Sequence, residues 1–242
     1  MAEPSVQSIT RYSVSKAAQD LKTVFQQITD RSCPYDYNFH MHTHCSDGKL
    51  SPGELMEQAV NLQLKGLAIT DHHSIRGYQQ ACQWLENWRW KHPSSWSSNG
   101  KRGKLPRLWC GVEITSKLLE VDVHILGYAF NPKHSAIKDY LQGGAPTGEN
   151  RCAQHVIEAI QSAGGVAVLA HPVRYRRSPE ELIPAAAALG IDGVETYYAY
   201  DHPAEWRPTP QKTERVQALA HAYDLLSTCG TDSHGLTLVR RI

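Results

Sequence analysis

The chain has almost no surplus charge of either sign: 25 Lys and Arg stand against 24 Asp and Glu in 242 residues, a formal net of +1. That near-balance excludes the broad basic surface of a protein that binds duplex nucleic acid, and leaves room only for a local phosphate pocket. No run approaches the roughly 20 apolar residues of a membrane span, and the start, MAEPSVQSITRYSVSK, has no apolar signal core. These absences predict a soluble, cytoplasmic protein without a membrane partner. Cys33, Cys45, Cys82, Cys110, Cys152 and Cys229 are scattered with no C-x-x-C among them. A zinc ribbon and a redox pair are therefore not indicated, and free thiols in a reducing compartment are expected. At 41% hydrophobic residues the composition suffices for one large core.

What the chain does have is histidine, thirteen in all. The densest chemistry lies between Asn38 and Gly48, where His40 and His42 flank Met41 and Asp47 follows five positions later. Alternate residues of a strand share a face, so this spacing presents two imidazoles side by side, as a divalent cation requires. His44 and His73 neighbour candidate ligand positions but are expected outside the cluster, with Cys45 a bystander.

Helical spacing of Ala17, Leu21, Val24, Phe25 and Ile28 predicts a helix over about 15–29, within an N-terminal extension (1–33) ahead of the main domain (34–242). Tyr37 to His42 reads as the first core strand. Ser51-Pro52-Gly53-Glu54 opens a helix with a serine cap, a first-turn proline and a capping-box glutamate, and its end is expected at Gly66. Leu67 to Thr70 reads as a buried parallel strand and Gly77 to about Trp90 as a helix. His92 to Arg107, rich in Ser, Gly, Pro and Lys, reads as an exposed loop. Further strands are expected at Leu108–Thr115, Val121–Ala129, Val166–Ala170, Gly193–Tyr197 and Leu225–Thr228. Gly143–Gly148 is a linker, and helices fall at Glu149–Ala163, 179–189 and 209–223. About seven strands alternating with helices favour a parallel, barrel-like α/β domain over an open sheet.

The remaining titratable residues fall where such strands end. Asp71-His72 follows Leu67 to Thr70, Glu113 lies in Gly-Val-Glu, and His124 opens His-Ile-Leu-Gly. His171 follows Val-Leu-Ala, and Asp232 and His234 close the last strand. In a parallel barrel these ends converge on one face. Singly, His124 also reads as a satisfied core histidine, Glu113 as a paired buried carboxylate and Asp71 as a helix cap. Jointly they point to one metal centre.

Together the blocks His40-Met-His42 with Ser46-Asp47-Gly48, Thr70-Asp71-His72, Gly111-Val112-Glu113, His124-Ile-Leu-Gly127, Ala170-His171-Pro172 and Thr231-Asp232-Ser233-His234 resemble the PHP (polymerase and histidinol phosphatase) domain. The resemblance runs from about residue 37 to 236. It implies a distorted (β/α)7 TIM-like barrel and a three-metal site of manganese, iron or zinc. The implied ligands are His40, His42, Asp47, His72, Glu113, His124, His171, Asp232 and His234, with Glu113 bridging.

Three carboxylates against the six formal positive charges of three dications leave such a site net positive, which attracts phosphate. Coordination would lower the pKa of water towards neutrality, giving a metal-bound hydroxide held by Glu113, Asp232 and His234 as nucleophile for phosphoester hydrolysis without a covalent enzyme intermediate. Arg174, ahead of Tyr175, Arg176 and Arg177, is the candidate substrate contact, since a guanidinium fork suits phosphate; Arg176 and Arg177 read as solvated. Tyr197, Tyr198 and Tyr200 are placed to border a base or sugar, or to pack in the core.

Within the family the chain is similar to the branch acting on 3′,5′-nucleoside bisphosphates or trimming short RNA from its 5′ end. It departs in having only 46 residues between His124 and His171, where that branch carries a long helical insertion. Asn38 also stands where the family often has aspartate, two residues before His40. A histidinol-phosphate-type phosphatase and a non-catalytic metal-binding regulatory module are the alternative readings; a filled set of nine ligand positions speaks against the second.

Overall fold

The structure, a computed structural model, describes residues 6–92 and 105–242, with side chains from residue 14 onward. Seven strands form one sheet in sequential order: β1 (Tyr37–Asn38), β2 (Gly66–Ile69), β3 (Arg107–Leu118), β4 (Val121–Tyr128), β5 (Val166–Leu169), β6 (Gly193–Tyr197) and β7 (Leu226–Cys229). The sheet curls until its first and last strands meet. Phe39 N–H donates to the Cys229 carbonyl at 3.1 Å, Asp232 N–H to that of His40 at 2.8 Å, and Met41 bridges Ser233. The result is a nearly closed mixed α/β barrel.

The barrel is not wholly parallel, a correction to the sequence reading. β3 pairs antiparallel with β4, and β4 antiparallel with β5, while the other neighbours are parallel. Only Leu119 and Glu120, both with positive φ, separate β3 from β4, far too few residues for the crossover a parallel pair needs. Because β4 runs backwards, its early residue His124, opposite Thr115, stands at the end of the barrel where the parallel strands finish. The expected convergence survives for a reason the sequence reading did not supply.

Other boundaries move as well. The first strand is two residues long, although 39–42 continues as extended chain bonded to the segments after β7 and β2. Helix α1 (Val6–Phe25) begins earlier and ends sooner than expected. Helix α2 (Pro52–Asn61) starts at the full Ser51/Glu54 capping box but stops short of Gly66. Gln63 takes a positive φ of 59° and Leu64 N–H bonds back to the Ala59 carbonyl, so the chain turns there and Gly66 opens β2. Helix α3 (Arg76–Lys91) matches expectation. Of the expected loop, 93–104 lie outside the described residues, and Arg107 already belongs to β3, paired with Gly66. Two short 3-10 helices, Ser135–Leu141 and Gly148–Arg151, precede α4 (Ala153–Ser162). Helices α5 (Pro179–Ala188) and α6 (Pro210–Ala222) close the set.

The barrel interior is a single apolar cluster to which every strand contributes, from Phe39, Ala68 and Trp109 through Tyr128, Val168 and Tyr197 to Cys229. Helix α1 completes it with Ala18, Leu21 and Phe25. Phe25 meets Phe39 edge-on at 5.0 Å and Tyr128 at 5.6 Å, and the Tyr128 hydroxyl donates to the Phe39 carbonyl at 2.8 Å. These aromatics fill one end of the barrel and force polar chemistry to the other. Phe39→Ala should therefore cost about 3–5 kcal/mol in urea unfolding; a loss below about 1 kcal/mol would show that this ring does not hold the barrel together.

Candidate metal centre

Most strands, or the segments that follow them, deliver titratable residues to the open end of the barrel. His40 and His42 follow β1, and His72 follows β2, bridged to Glu113 within β3. His124 comes from β4, His171 follows β5, and Asp232 and His234 follow β7. Two of these have left-handed backbones, His171 at φ 26° and Asp232 at φ 51°. A non-glycine residue there costs of order 1–3 kcal/mol and persists only when its surroundings over-determine it. Here the fixing bonds are His171 N–H to Glu195 Oε2 at 2.8 Å and Asp232 N–H to the His40 carbonyl at 2.8 Å. Gly230 lets β7 approach closely enough for the second bond, since a Cβ would collide with His40.

Glu113 is the hub. Its Oε2 lies 3.1 Å from His40 Nε2, 3.0 Å from His42 Nε2 and 3.6 Å from His72 Nε2. Its Oε1 lies 2.7 Å from His124 Nδ1 and 3.3 Å from His171 Nε2. Asp232 Oδ1 is 3.4 Å from His40 Nε2, 3.3 Å from His42 Nε2 and 3.5 Å from His234 Nδ1. Asp47 closes the outer side, with Oδ2 3.3 Å from His234 Nε2 and 3.7 Å from His72 Nε2, and Oδ1 3.4 Å from His42 Nδ1. The donors form three overlapping groups: His42, Asp47, His72 and His234; His40, His42, Glu113 and Asp232; and His72, Glu113 and His124. His171 belongs to none of the three and reaches the assembly through Glu113.

These residues suit divalent cations. Donors about 2.1 Å from one ion at tetrahedral angles stand roughly 3.4 Å apart, close to the spacing found. Both ring nitrogens of His42 and the Nδ1 atoms of His124 and His171 are buried without a hydrogen-bond partner. Buried imidazole nitrogens without partners are costly, and those of His42 and His124, which lie in the donor groups, are met only by something electropositive. Burial works against charge on His40, yet Glu195, Glu113 and Asp232 outweigh it and hold its pKa well above the ordinary value. Burial likewise opposes charge on Glu113, but His40 and His124 keep the carboxyl well below its usual range. For His72 burial prevails and lowers the pKa to about 4, so this imidazole is neutral and free to ligate near neutral pH.

Around this cluster lie residues the sequence reading missed. Glu195, fully buried in β6, accepts from His40 Nδ1 at 3.0 Å through Oε1 and from His171 N–H through Oε2, so one carboxylate orients two candidate ligands. A lone glutamate inside the apolar strand Gly193–Tyr197 was the available signal. Asp71 accepts from Thr43 N–H at 2.7 Å, Thr43 Oγ1 at 2.8 Å and Ser46 Oγ at 2.8 Å, which pins the loop between His42 and Asp47. Asp232 Oδ2 accepts from Tyr198 OH at 2.7 Å, Arg241 Nε at 2.7 Å and Arg174 Nη1 at 2.9 Å.

Arg174 is thus committed at one nitrogen to Asp232. Arg177 pairs with Glu181 on the surface, and Tyr197 packs in the barrel core. Outside the donor groups, His73 Nε2 meets Thr115 Oγ1 at 3.1 Å and His44 lies beside Cys45 Sγ at 3.7 Å. Asn38 does not touch the His40 ring. Its side chain bonds Thr231 and the Leu238 carbonyl, tying the segment after Asp232 to β1.

Two outcomes are expected. Glu195→Gln cannot serve both His40 and His171 as an acceptor, so cation affinity measured by chelator competition should fall about 10–100-fold; unchanged affinity would remove Glu195 from this role. In protein stripped of cations, burial opposes protonation of His42, but Asp232 and Glu113 outweigh it and raise the pKa from 6.5 to about 9. A raised pKa stabilises fully below the unfolded value and is lost as pH climbs through the folded one. The urea midpoint of stripped protein should fall between pH 6.5 and 9, and much less when cations are bound; a rise across that window would contradict the assignment.

A PHP domain model matches residues 38–142. The 5′-3′ exoribonuclease Rnm of Salmonella typhimurium is 23% identical over 278 aligned positions, covering 86% of this chain and 88% of the relative. The 5′-3′ exoribonuclease of Haemophilus influenzae is 25% identical over 268, covering 82% and 89%. Among solved structures, a "putative metal-dependent phosphoesterase" from Bifidobacterium adolescentis superposes with a TM-score of 0.64 at 25% identity, covering 83% of this chain and 88% of that one. An amidohydrolase from Chromobacterium violaceum, solved with sulfate and no metal, shares the fold with a TM-score of 0.63 at 19% identity, over 83% and 88%. Barrel, strand-end donors and these matches together make the chain similar to PHP domain proteins, with the domain match itself confined to residues 38–142.

Proposed function

We propose that this protein, by class a metal-dependent hydrolase of phosphate esters, acts on a nucleotide-like substrate: a 3′,5′-nucleoside bisphosphate or the 5′ end of a short RNA. The observation that carries the reading is the convergence of Glu113, Asp47 and Asp232 with six imidazoles at cation-binding separations. The nucleotide part is supported by relatives named 5′-3′ exoribonucleases that cover over four-fifths of the chain.

The ligands proposed are His40, His42, Asp47, His72, Glu113, His124, His171, Asp232 and His234. Bound divalent cations would supply Lewis-acid polarisation of the phosphoryl group and lower the pKa of water. The chain's own residues do the rest. Glu195 and Asp71 hold the donors in place through the contacts given above. Arg174 retains Nε and Nη2 for a phosphoryl oxygen, while its Nη1, with Tyr198 and Arg241, fixes Asp232 so that Oδ1 alone faces the imidazoles. In the overall reaction a water oxygen forms the new P–O bond, the ester P–O bond breaks, and the proton leaves with the alcohol.

Purified protein of measured metal content is offered nucleoside bisphosphates, 5′-phosphorylated short RNA, histidinol phosphate and an aryl phosphate. Cation-dependent hydrolysis of the nucleotide esters is expected, cut at least about a hundredfold by Asp232→Asn and by His72→Ala. Full activity in either variant refutes the site. Preference for histidinol phosphate replaces the nucleotide reading with a small-metabolite one, and no turnover on any ester leaves a metal-binding regulatory module.

A further inference from the structure

We infer that the groove beside the His72 turn is a second phosphate subsite, holding the downstream phosphodiester of a short single strand whose 5′ end lies at the cation centre. The inference rests on the phosphoester reading above and extends it to a part of the molecule with no role so far. The groove has a volume of about 600 Å³ and is walled by Ser74, Arg76 and Gln79 on one side and by Lys138 and Gln142 on the other. Among the described residues no carboxylate lines it.

Its two cations differ from several on this surface. Arg151, Arg177, Lys212 and Arg215 each pair with a carboxylate. Arg76 and Lys138 have none within ion-pair distance among the described residues. Arg76 instead donates from Nη2 to the Cys45 carbonyl at 3.2 Å and from Nε to Ser74 Oγ at 3.4 Å, neutral acceptors that fix the guanidinium without cancelling its charge. Facing it, Gln142 Nε2 caps the Lys138 carbonyl at 2.6 Å, which steadies the lysine's turn.

Position links the groove to the centre. Ser74 is two residues beyond His72, so their Cα atoms lie within about 7.6 Å. The Cys45 carbonyl that holds Arg76 sits in the loop between His42 and Asp47, and Gly143 N–H bonds the His73 carbonyl at 2.9 Å, joining the far wall to the same turn. Ile75 and Leu141 add apolar surface on which a base can rest. A held guanidinium and a lysine across the groove, with no carboxylate competing among the described residues, are the recognition chemistry of a nucleic-acid backbone, and a single monoester would leave them unused.

The test measures binding of a fluorescent 5′-phosphorylated RNA pentamer by anisotropy, in chelated and cation-loaded protein, together with kcat/KM for the pentamer and for a nucleoside 3′,5′-bisphosphate. Lys138→Glu should weaken pentamer binding about tenfold. Lys138→Ala and Arg76→Ala should each flatten the log K against log salt slope by about 0.7. The pentamer-to-bisphosphate ratio of kcat/KM should fall about tenfold in Lys138→Glu. Pentamer binding that is absent in the wild type, or unchanged in both Lys138 variants, overturns the subsite, as does an unchanged ratio. Lys138-dependent pentamer binding without turnover of any ester would instead sink the phosphoester reading and leave the groove standing.

Discussion

Much of this molecule answers to one problem, a glutamate carboxylate sunk out of reach of water. Glu113 sits in mid-strand with five imidazole nitrogens between 2.7 and 3.6 Å from its two oxygens. A bare carboxylate in such a place would cost several kcal/mol, and neutral imidazoles relieve that only partly. Positive charge must reach it as protons or as cations. The orphaned nitrogens of His42 and His124 show which solution the geometry suits, because both residues belong to donor groups around shared positions.

Holding that arrangement falls to a layer of buried polar contacts and strained backbone. Glu195 serves two histidines at once, Asp71 ties down the loop carrying Asp47, and three donors saturate one oxygen of Asp232 so that only the other turns inward. His171 and Asp232 accept unfavourable φ values to aim their side chains. The opposite end of the barrel, where Phe25, Phe39 and Tyr128 interlock, supplies the rigidity that makes such placement durable.

A large part of this was legible in the residues. The capping box at Ser51 and Glu54 marked the start of α2, and the apolar runs of β2, β5 and β6 marked strands buried on both faces. The candidate ligands stood out because histidine and acid recurred where each strand stopped. The misreadings also have causes. α2 ends at Asn61 because a left-handed Gln63 takes the turn that Gly66 was expected to take. The strand direction of β4 was missed because a periodic apolar pattern carries no sign of direction, and the two-residue turn at Leu119 and Glu120 lacks the glycine or asparagine that announces a hairpin. Glu195 was passed over as part of an apolar run, and Arg241 because its contact partner is nine residues away around a loop.

The sequence by itself settled which residues are charged, which can ligate and which segments repeat with strand or helix period, since those are properties of composition and local spacing. Tertiary structure alone decided that β4 runs backwards, that Asn38 braces a distant segment while Glu195 orients His40, and that Asp232 spends one oxygen on two arginines and a tyrosine. Those outcomes depend on distances between residues up to nearly two hundred positions apart. Only closure of the barrel, which seals β1 against the segment after β7, sets them.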